Sequence, residues 1–420
     1  MVSDYSVLDL FSGAGGLTEG FARNKFRFIT HIEMDSLALN TLETRLMFHN
    51  LCKTQNEGLY NDYFNNSITR QQFIDLYAET DLPEIKSSHN EISDSSEKHL
   101  IKSIWNLLEV QDSKKVNVII GGPPCQAYSV IGRSRRKDRM ESDSRNYLYR
   151  HYISLIKEFR PDFFVFENVP GLTTAKKGNI YSDLHSKIRK FGYTVEARIL
   201  NAADFGVLQN RKRIIFIGHN SENDIPFPDF TPIRHNFVVW NVLNDLPPLS
   251  PGEGMDGPGR KYTKSPNDYL TQFKIRKHDD IIVNHKARPH IERDREIYYR
   301  AIQLWNTEKK RLKYNDLPEY LKTHKNQKSF LDRFKVVNGE GLSHAIVAHI
   351  AKDGHYFIHP DIEQVRSLTV REAARIQSFP DNYKFEGPRT SQFTQIGNAV
   401  PPLMAEGIAK EIKNMLNNFY

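Results

Sequence analysis

Val116-Asn117-Val118-Ile119-Ile120-Gly121-Gly122-Pro123-Pro124-Cys125-Gln126 decides how this chain is read. The apolar run from Val116 to Ile120 predicts a buried strand ended by glycine. Cys125 then sits just past the carboxyl edge of a sheet, where open α/β folds place their ligands. Two prolines fix the backbone approach to the thiol, and two glycines allow it close to a bound group. The chain has 420 residues and two cysteines, Cys52 and Cys125, so no disulfide framework is suggested. An arbitrary single cysteine is commonly inert packing. A Pro-Pro-Cys-Gln turn at a strand end is not arbitrary, and it makes Cys125 a candidate nucleophile.

Working back to the start, Val7-Leu8-Asp9-Leu10-Phe11 predicts a strand. Ser12-Gly13-Ala14-Gly15-Gly16 then predicts a turn, and Leu17 to Arg23 a helix. Strand, glycine-rich turn and helix form the first half of a nucleotide-binding unit. The dinucleotide fingerprint is not matched, because Thr18 stands where its third glycine belongs. A second strand, Arg27 to Ile32, runs into Glu33, at a spacing that suits ribose hydroxyls. The plain alternative for Glu33 is a solvated strand end. From Leu51 to Lys115 the chain is polar and shows no strong strand. We expect an insertion over about residues 50–115, a solvated excursion with helices near Thr69–Ala78 and Leu100–Leu108.

Beyond Cys125, Ile131 to Arg139 is a basic run containing Gly and Ser, the composition of a loop that meets phosphates. Cations there would favour the thiolate. A helix is expected over Tyr149–Phe159 and a buried strand over Phe163–Phe166, ending in Glu167-Asn168-Val169. A carboxyl beside an apolar strand can hold a raised pKa and donate a proton, which marks Glu167 as a candidate acid. A helix over Ile180–Phe191 and strands over Tyr193–Leu200 and Ile214–Gly218 follow. Arg211 and Arg213 occupy alternate positions and would project to one face, to hold a carbonyl or phosphate or to line a surface.

Strands alternating with helices predict a doubly wound α/β domain. Prolines and glycines cluster between Pro226 and Gly259, a boundary signal, and the following stretch to about Asn382 is basic, aromatic and irregular. Near the end, Met404, Ile408, Ile412 and Met415 give one helix an apolar face that would return to cover the sheet. The expected organisation is a catalytic domain from residues 1–219 and 391–420, with a smaller domain of residues 220–390 inserted. A net charge of +7 and a pI near 9.0 give a modest bias toward polyanions. No run approaches a membrane span, the histidines lack metal-ligand spacing, and the start does not resemble a signal peptide. A cytoplasmic, non-membrane setting is expected.

Together these motifs resemble the DNA cytosine-5 methyltransferase family. Asp9-Leu-Phe-Ser-Gly-Ala-Gly-Gly16 is similar to its first cofactor motif and Glu33 to its second. Pro124-Cys125-Gln126 is similar to the nucleophile motif, Glu167-Asn168-Val169 to the acidic motif, and Gln209-x-Arg211-x-Arg213 to the arginine motif. Arg371-Glu372-Ala373-Ala374-Arg375 resembles the motif closing the recognition domain, and Gly397-Asn398-Ala399-Val400 the last motif. Seven in the family's order are specific. The third cofactor motif, an acidic residue for the adenine amine, has no plain counterpart; Asn66-Ser67-Ile68 is the candidate.

The resemblance implies a Rossmann-like S-adenosylmethionine-dependent methyltransferase domain with an inserted target-recognition domain. The methyl acceptor would be cytosine C5 in double-stranded DNA. Phe11 would stack on the adenine, Gly13, Ala14 and Gly16 would approach the methionine part, and Glu33 would hold the ribose. Met34, Pro123, Asn398 and Val400 would complete the pocket. Cys125, Glu167, Arg211 and Arg213 would do the chemistry, and Gln126, Ser129, Arg133, Arg135 and Arg136 would meet DNA. A monomer in a restriction–modification pair, with a cognate endonuclease as functional partner, is the implied setting.

Three rival readings differ from this one in the residues they need. An RNA cytosine-5 methyltransferase shares the framework, but the transfer-RNA branch carries a Cys-Phe-Thr signature and this chain has no cysteine after Cys125. A catalytically idle DNA-binding protein would be expected to have lost the thiol or the acid. A nicotinamide oxidoreductase rests on the glycine-rich turn and Glu33 alone.

Overall fold

In a computed structural model of the chain, the described residues are 5–111, 113, 115–124, 148–174, 178–220, 225–278, 280–323, 328 and 331–419. The first half alternates strands and helices: β1 Ser6–Leu10, α1 Gly16–Arg23, β2 Arg27–Glu33, α2 Ser36–Lys53, α3 Glu57–Phe64, α4 Arg70–Ala78, β3 Ser87–His89 and α5 Glu97–Val110. Then come β4 Val118–Gly121, α6 Leu148–Phe159, β5 Phe163–Asn168, α7 Asn179–Lys190, β6 Thr194–Asn201, β7 Gln209–Asn210 and β8 Lys212–His219. Seven strands form one sheet in the order β3-β2-β1-β4-β5-β8-β6. All pairs are parallel except those of β8, which runs antiparallel to β5 and β6.

Each central strand is apolar on both faces, as a covered parallel sheet requires. Side chains alternate between the faces. Val7, Val118, Ile120 and Val165 enter one cluster with Phe21, Met404 and Ile408. Leu8, Ile119, Phe164 and Phe166 enter the other with Ile104, Tyr152 and Leu184. The final helix, Pro402–Phe419, therefore does return to the sheet: Met404, Ile408 and Ile412 are fully buried on the face that α1 also covers.

The 50–115 stretch departs from expectation in two ways. Ser87–His89 is an edge strand of the main sheet, paired with β2. Three short polar residues carry too little alternation to announce a strand. The helical part is also not a solvated excursion. Tyr60, Tyr63, Phe64, Phe73 and Tyr77 form an apolar cluster with Met47, Phe48 and Val283. Thr69 caps α4 in a capping box with Gln72. Tyr60 Oη donates to Asn382 O at 2.6 Å, and Tyr63 Oη to Glu386 Oε1 at 2.6 Å, so α3 braces the distant 382–386 segment.

Residues 225–386 contain short helices, one small strand pair, a short strand that pairs with β7, and one long helix, α8 Glu292–Glu308, over a satellite apolar cluster. The helix α9, Val370–Ile376, starts from a second capping box, Thr369 with Glu372. Tyr269, Ala373, Phe379, Tyr383 and Phe385 share the main cluster with Val7 and Phe21, so apolar packing runs without a break between this region and the sheet. The helix α10, Arg389–Asn398, precedes the final helix α11, Pro402–Phe419. Among the described residues no helix is long and apolar enough to cross a membrane.

Candidate active site

The carboxyl ends of β1, β2, β4 and β5 meet at one edge of the sheet. After β1 the chain turns sharply: Phe11 has φ 57° and Gly13 φ 55°, and Ser12 N donates to Ile32 O at 3.1 Å. Glu33 holds this turn. Its Oε2 accepts from Gly13 N at 2.8 Å, and its Oε1 from Met34 N at 2.9 Å and Asp35 N at 2.8 Å. Glu33 is thus not a solvated strand end. Burial pushes its carboxyl above the ordinary value, against the pull of the N–H groups of Asp35, Gly13 and Met34.

Thr18, which breaks the dinucleotide pattern, donates its hydroxyl to buried Asp9 Oδ2 at 2.5 Å, and His31 Nδ1 lies 3.2 Å from the same oxygen. The turn is closed from the other end of the chain. A Cβ on Gly16 would lie 2.3 Å from Val400 O, so only glycine admits the Asn398–Val400 segment there. Tyr383 Oη donates to Ala14 O at 2.6 Å, a contact no local sequence signal announces. Ala14 and Val400 are buried, Asn398 is exposed, and Met34 is 56% exposed.

Asn66-Ser67-Ile68 is not at this edge. Asn66 lies past the end of α3, with its Oδ1 accepting from Lys384 Nζ at 2.7 Å. The residues beside the β2 tip are those ending β3: Asn90 N donates to Glu33 O at 3.1 Å and His89 Nε2 lies 2.9 Å from Met34 O. Exposed Glu91 and buried Ile92 come next.

On the other side, Gly122-Pro123-Pro124 leaves β4 against the tip of β5. A Cβ on Gly122 would lie 2.7 Å from Glu167 Oε2, and Asn168 Nδ2 donates to Pro123 O at 3.1 Å. Arg213 Nε lies 2.8 Å from Glu167 Oε1, both side chains being largely buried. The backbone leading into Cys125 is therefore fastened directly over the Glu167 carboxylate. Cys125 itself, with Gln126, Ser129, Arg133, Arg135, Arg136 and the rest of the 129–145 loop, lies outside the described residues.

Arg211 and Arg213 do not share a face. Arg211 falls in the break between β7 and β8, where strand alternation lapses. Its fully buried guanidinium donates to Ile346 O, Gly397 O and Ala399 O, while Arg213 alone reaches Glu167.

Residues 54–414 match the family model described as C-5 cytosine-specific DNA methylase. The chain belongs to this family. It is 46% identical to the type II methyltransferase M.Bpa9945I of Bacillus paralicheniformis, over 99% of this chain and 100% of that one. It is 30% identical to the type II methyltransferase M1.HphI of Haemophilus parahaemolyticus, over 98% and 88% respectively. A solved structure from Escherichia coli, a putative DNA modification methyltransferase encoded within a prophage, shares the fold with a TM-score of 0.66 and 24% identity, over 98% of this chain and 99% of that one. This C-5 cytosine-specific DNA methylase is a DNA cytosine-5 methyltransferase, and its family implies S-adenosylmethionine as methyl donor. The turn fits that cofactor. A Cβ on Gly13 would meet nothing within 4 Å, leaving open space beside a carboxylate suited to a diol.

Proposed function

We propose that this enzyme methylates C5 of a cytosine flipped out of double-stranded DNA, through a transient bond between Cys125 and the base. The observation that carries the reading is the Arg213–Glu167 pair lying against the Gly122-Pro123-Pro124 lead into Cys125. S-adenosylmethionine, when bound, supplies an electrophilic methyl group. Phe11, Gly13, Ala14, Gly16, Glu33, Met34, Pro123, Asn398 and Val400 would hold it. Glu91, at the end of the third strand, takes the place of the acidic residue for the adenine amine.

Cytosine C5 is a weak nucleophile, and a covalent route divides one hard step into easier ones. The Cys125 thiolate adds at C6 while Glu167 delivers a proton to N3 and accepts from the exocyclic amine. The electron pair of the former C5–C6 double bond is then directed from C5 toward the methyl group. After transfer, the C5 proton leaves to water, its electron pair re-forms the C5–C6 double bond as the Cys125 sulfur departs from C6, and N3 returns its proton to Glu167, restoring the ring. Arg213 holds Glu167 in place and faces the base oxygen. Flipping costs a few kcal/mol, offset by contacts to the extruded base and its strand. The basic loop with Arg133, Arg135 and Arg136, together with Gln126 and Ser129, meets the DNA.

Residues 220–390 serve as the recognition region inserted into a catalytic domain of residues 1–219 and 391–420. Type II methyltransferase names among the relatives support a restriction–modification setting; in that setting the enzyme would act in the cytoplasm as a monomer and protect host DNA opposite a cognate endonuclease. Expression in a methylation-free host followed by bisulfite sequencing tests this. Protected cytosines in one short sequence context are expected; an unmodified genome beside methylated RNA would overturn it.

A further inference from the structure

We propose that Arg211 is a positioning residue that couples the cofactor pocket to the recognition region. This rests on the assignment of Phe11–Gly16 and Asn398–Val400 to the cofactor. The Arg211 guanidinium bridges two segments far apart in sequence. One nitrogen donates to Ile346 O, in the turn that follows the Ser343–His344 strand of the recognition region; the other donates to Gly397 O and Ala399 O, both at 2.9 Å. Ala399 leads directly into Val400, whose carbonyl touches Gly16.

The neighbouring contacts tie the same two segments. The short strand Ser343–His344 pairs with β7, bringing Ser343 opposite Gln209. Gln209 Oε1 accepts from Ile346 N at 3.0 Å, while its Nε2 donates to Ile376 O at 3.0 Å and reaches Gln377 Oε1. Gln377 Nε2 in turn donates to Ile396 O at 2.6 Å and to Ala399 O at 3.3 Å. A Cβ on Gly397 would lie 2.2 Å from Ala348 N, so the two segments are in backbone contact at that point. Two residues beyond Arg211, Arg213 holds Glu167. A shift of the 397–400 wall when the cofactor binds is thereby passed to residues 343–348 and, through them, to the rest of the recognition region.

The planar fork of arginine is what lets one buried cation bind both segments; a lysine ammonium reaches one carbonyl set but not both. Coupling between two sites is reciprocal and is measured as a ratio of affinities. The experiment measures binding of a labelled duplex carrying the bisulfite-mapped site, with and without saturating S-adenosylhomocysteine. In the wild type the product is expected to change DNA affinity by about 5- to 150-fold, the usual range for linked sites. In Arg211→Lys that factor is expected to fall to within about twofold of unity, with each ligand alone bound nearly as before. Arg366→Lys is the control for a merely structural loss. Arg366 is equally buried, but its bonds, to Leu249 O, Gln364, Ser367 O and Glu372, all stay inside the recognition region, so the factor is expected to persist. If Arg211→Lys does not fold, Gln377→Met, which removes a second donor to Ala399 O, is measured instead. A coupling factor equal to the wild type's in Arg211→Lys, or in Gln377→Met where that variant is measured instead, overturns the proposal alone. A wild type that binds neither ligand overturns it together with the assignment of the pocket.

Discussion

Arg213 Nε lies 2.8 Å from Glu167 Oε1 across the antiparallel pair β5–β8. Because β8 runs against its neighbours, the start of β8 lies beside the end of β5, and a residue ahead of Ile214 can meet the β5 tip. The acid and its partner thus come from opposite ends of adjacent strands. Glu167→Gln is expected to lower kcat by roughly 100- to 10,000-fold, the usual worth of a positioned proton donor, with cofactor affinity little changed. Arg213→Ala should lower kcat too. The double variant should be about as slow as the more damaging single variant, not slower by the product of both effects, since the pair acts as a unit. Strict multiplication of the two losses in steady-state rates would show that they act separately.

Glu33 organises the turn through three backbone donors, and a Cβ on Gly13, one of them, would meet nothing within 4 Å. Glu33→Ala is expected to raise KM for S-adenosylmethionine roughly tenfold or more, from the ~1.5–3 kcal/mol of a bond to a charged group, with kcat nearly kept. Its raised carboxyl also means that acidification should weaken cofactor binding sooner than for an ordinary glutamate, because the charged form is the acceptor. Calorimetric titration of S-adenosylhomocysteine over pH checks both; an affinity indifferent to the substitution would remove Glu33 from the pocket.

Burial holds His290 and His344 down to about 4 and His359 to about 3. His290 also faces Arg288 and His355, His344 faces Lys335 and Arg311, and His359 faces Arg366. In the unfolded chain a histidine titrates near 6.5, so between about pH 6.5 and 4 the unfolded state binds more protons. Their contribution is complete above pH 6.5 and is lost as pH falls. Asp280, pushed up to about 6 by burial, and Glu33, also raised by burial, have the opposite slope, but burial lowers His49, His235 and His285 too, so the histidines outnumber them. The urea midpoint is expected to drop from pH 7 to pH 5, and His344→Gln to reduce that drop by on the order of 1 kcal/mol. A midpoint that rises on acidification would contradict the sign.

Asp245 binds two buried cations, Arg375 Nη1 at 2.6 Å and Arg276 Nη1 at 2.6 Å. Asp245→Ala leaves both guanidinium groups short of a counter-charge. Breaking such a pair by removing one partner costs about 3–5 kcal/mol. Chemical denaturation of the variant should show a loss of that size, and a loss under about 1 kcal/mol would mean that the remaining partner, Asp381, suffices.

Much of this was legible in the chain because the covered parallel strands announce themselves. Val116–Ile120 and Phe163–Phe166 are apolar on both faces, and each ends in a glycine or carboxylate that marks a sheet edge. The final helix declared its role by one apolar stripe. Ser87–His89 stays hidden because an edge strand this short buries little and needs no apolar alternation. The division of labour between Arg211 and Arg213 was also hidden. It depends on a strand break at Arg211 and on partners at Ile346, Gly397 and Ala399, more than 130 residues away in sequence. The aromatic cluster of α3 and α4 was overlooked because polar neighbours dilute Tyr60, Tyr63 and Phe64, although their spacing marks one helix face.

The central claim is a bond between Cys125 and the target base, and trapping tests it most directly. DNA copied with 5-fluoro-deoxycytidine triphosphate in place of deoxycytidine triphosphate carries fluorine where the C5 proton must leave, so the final elimination is blocked. Incubation with enzyme and S-adenosylmethionine, followed by denaturing electrophoresis, should give a protein–DNA band whose adducted peptide contains Cys125 and which disappears in Cys125→Ser. A band of undiminished intensity from Cys125→Ser, or an adduct on any other residue, would contradict the mechanism.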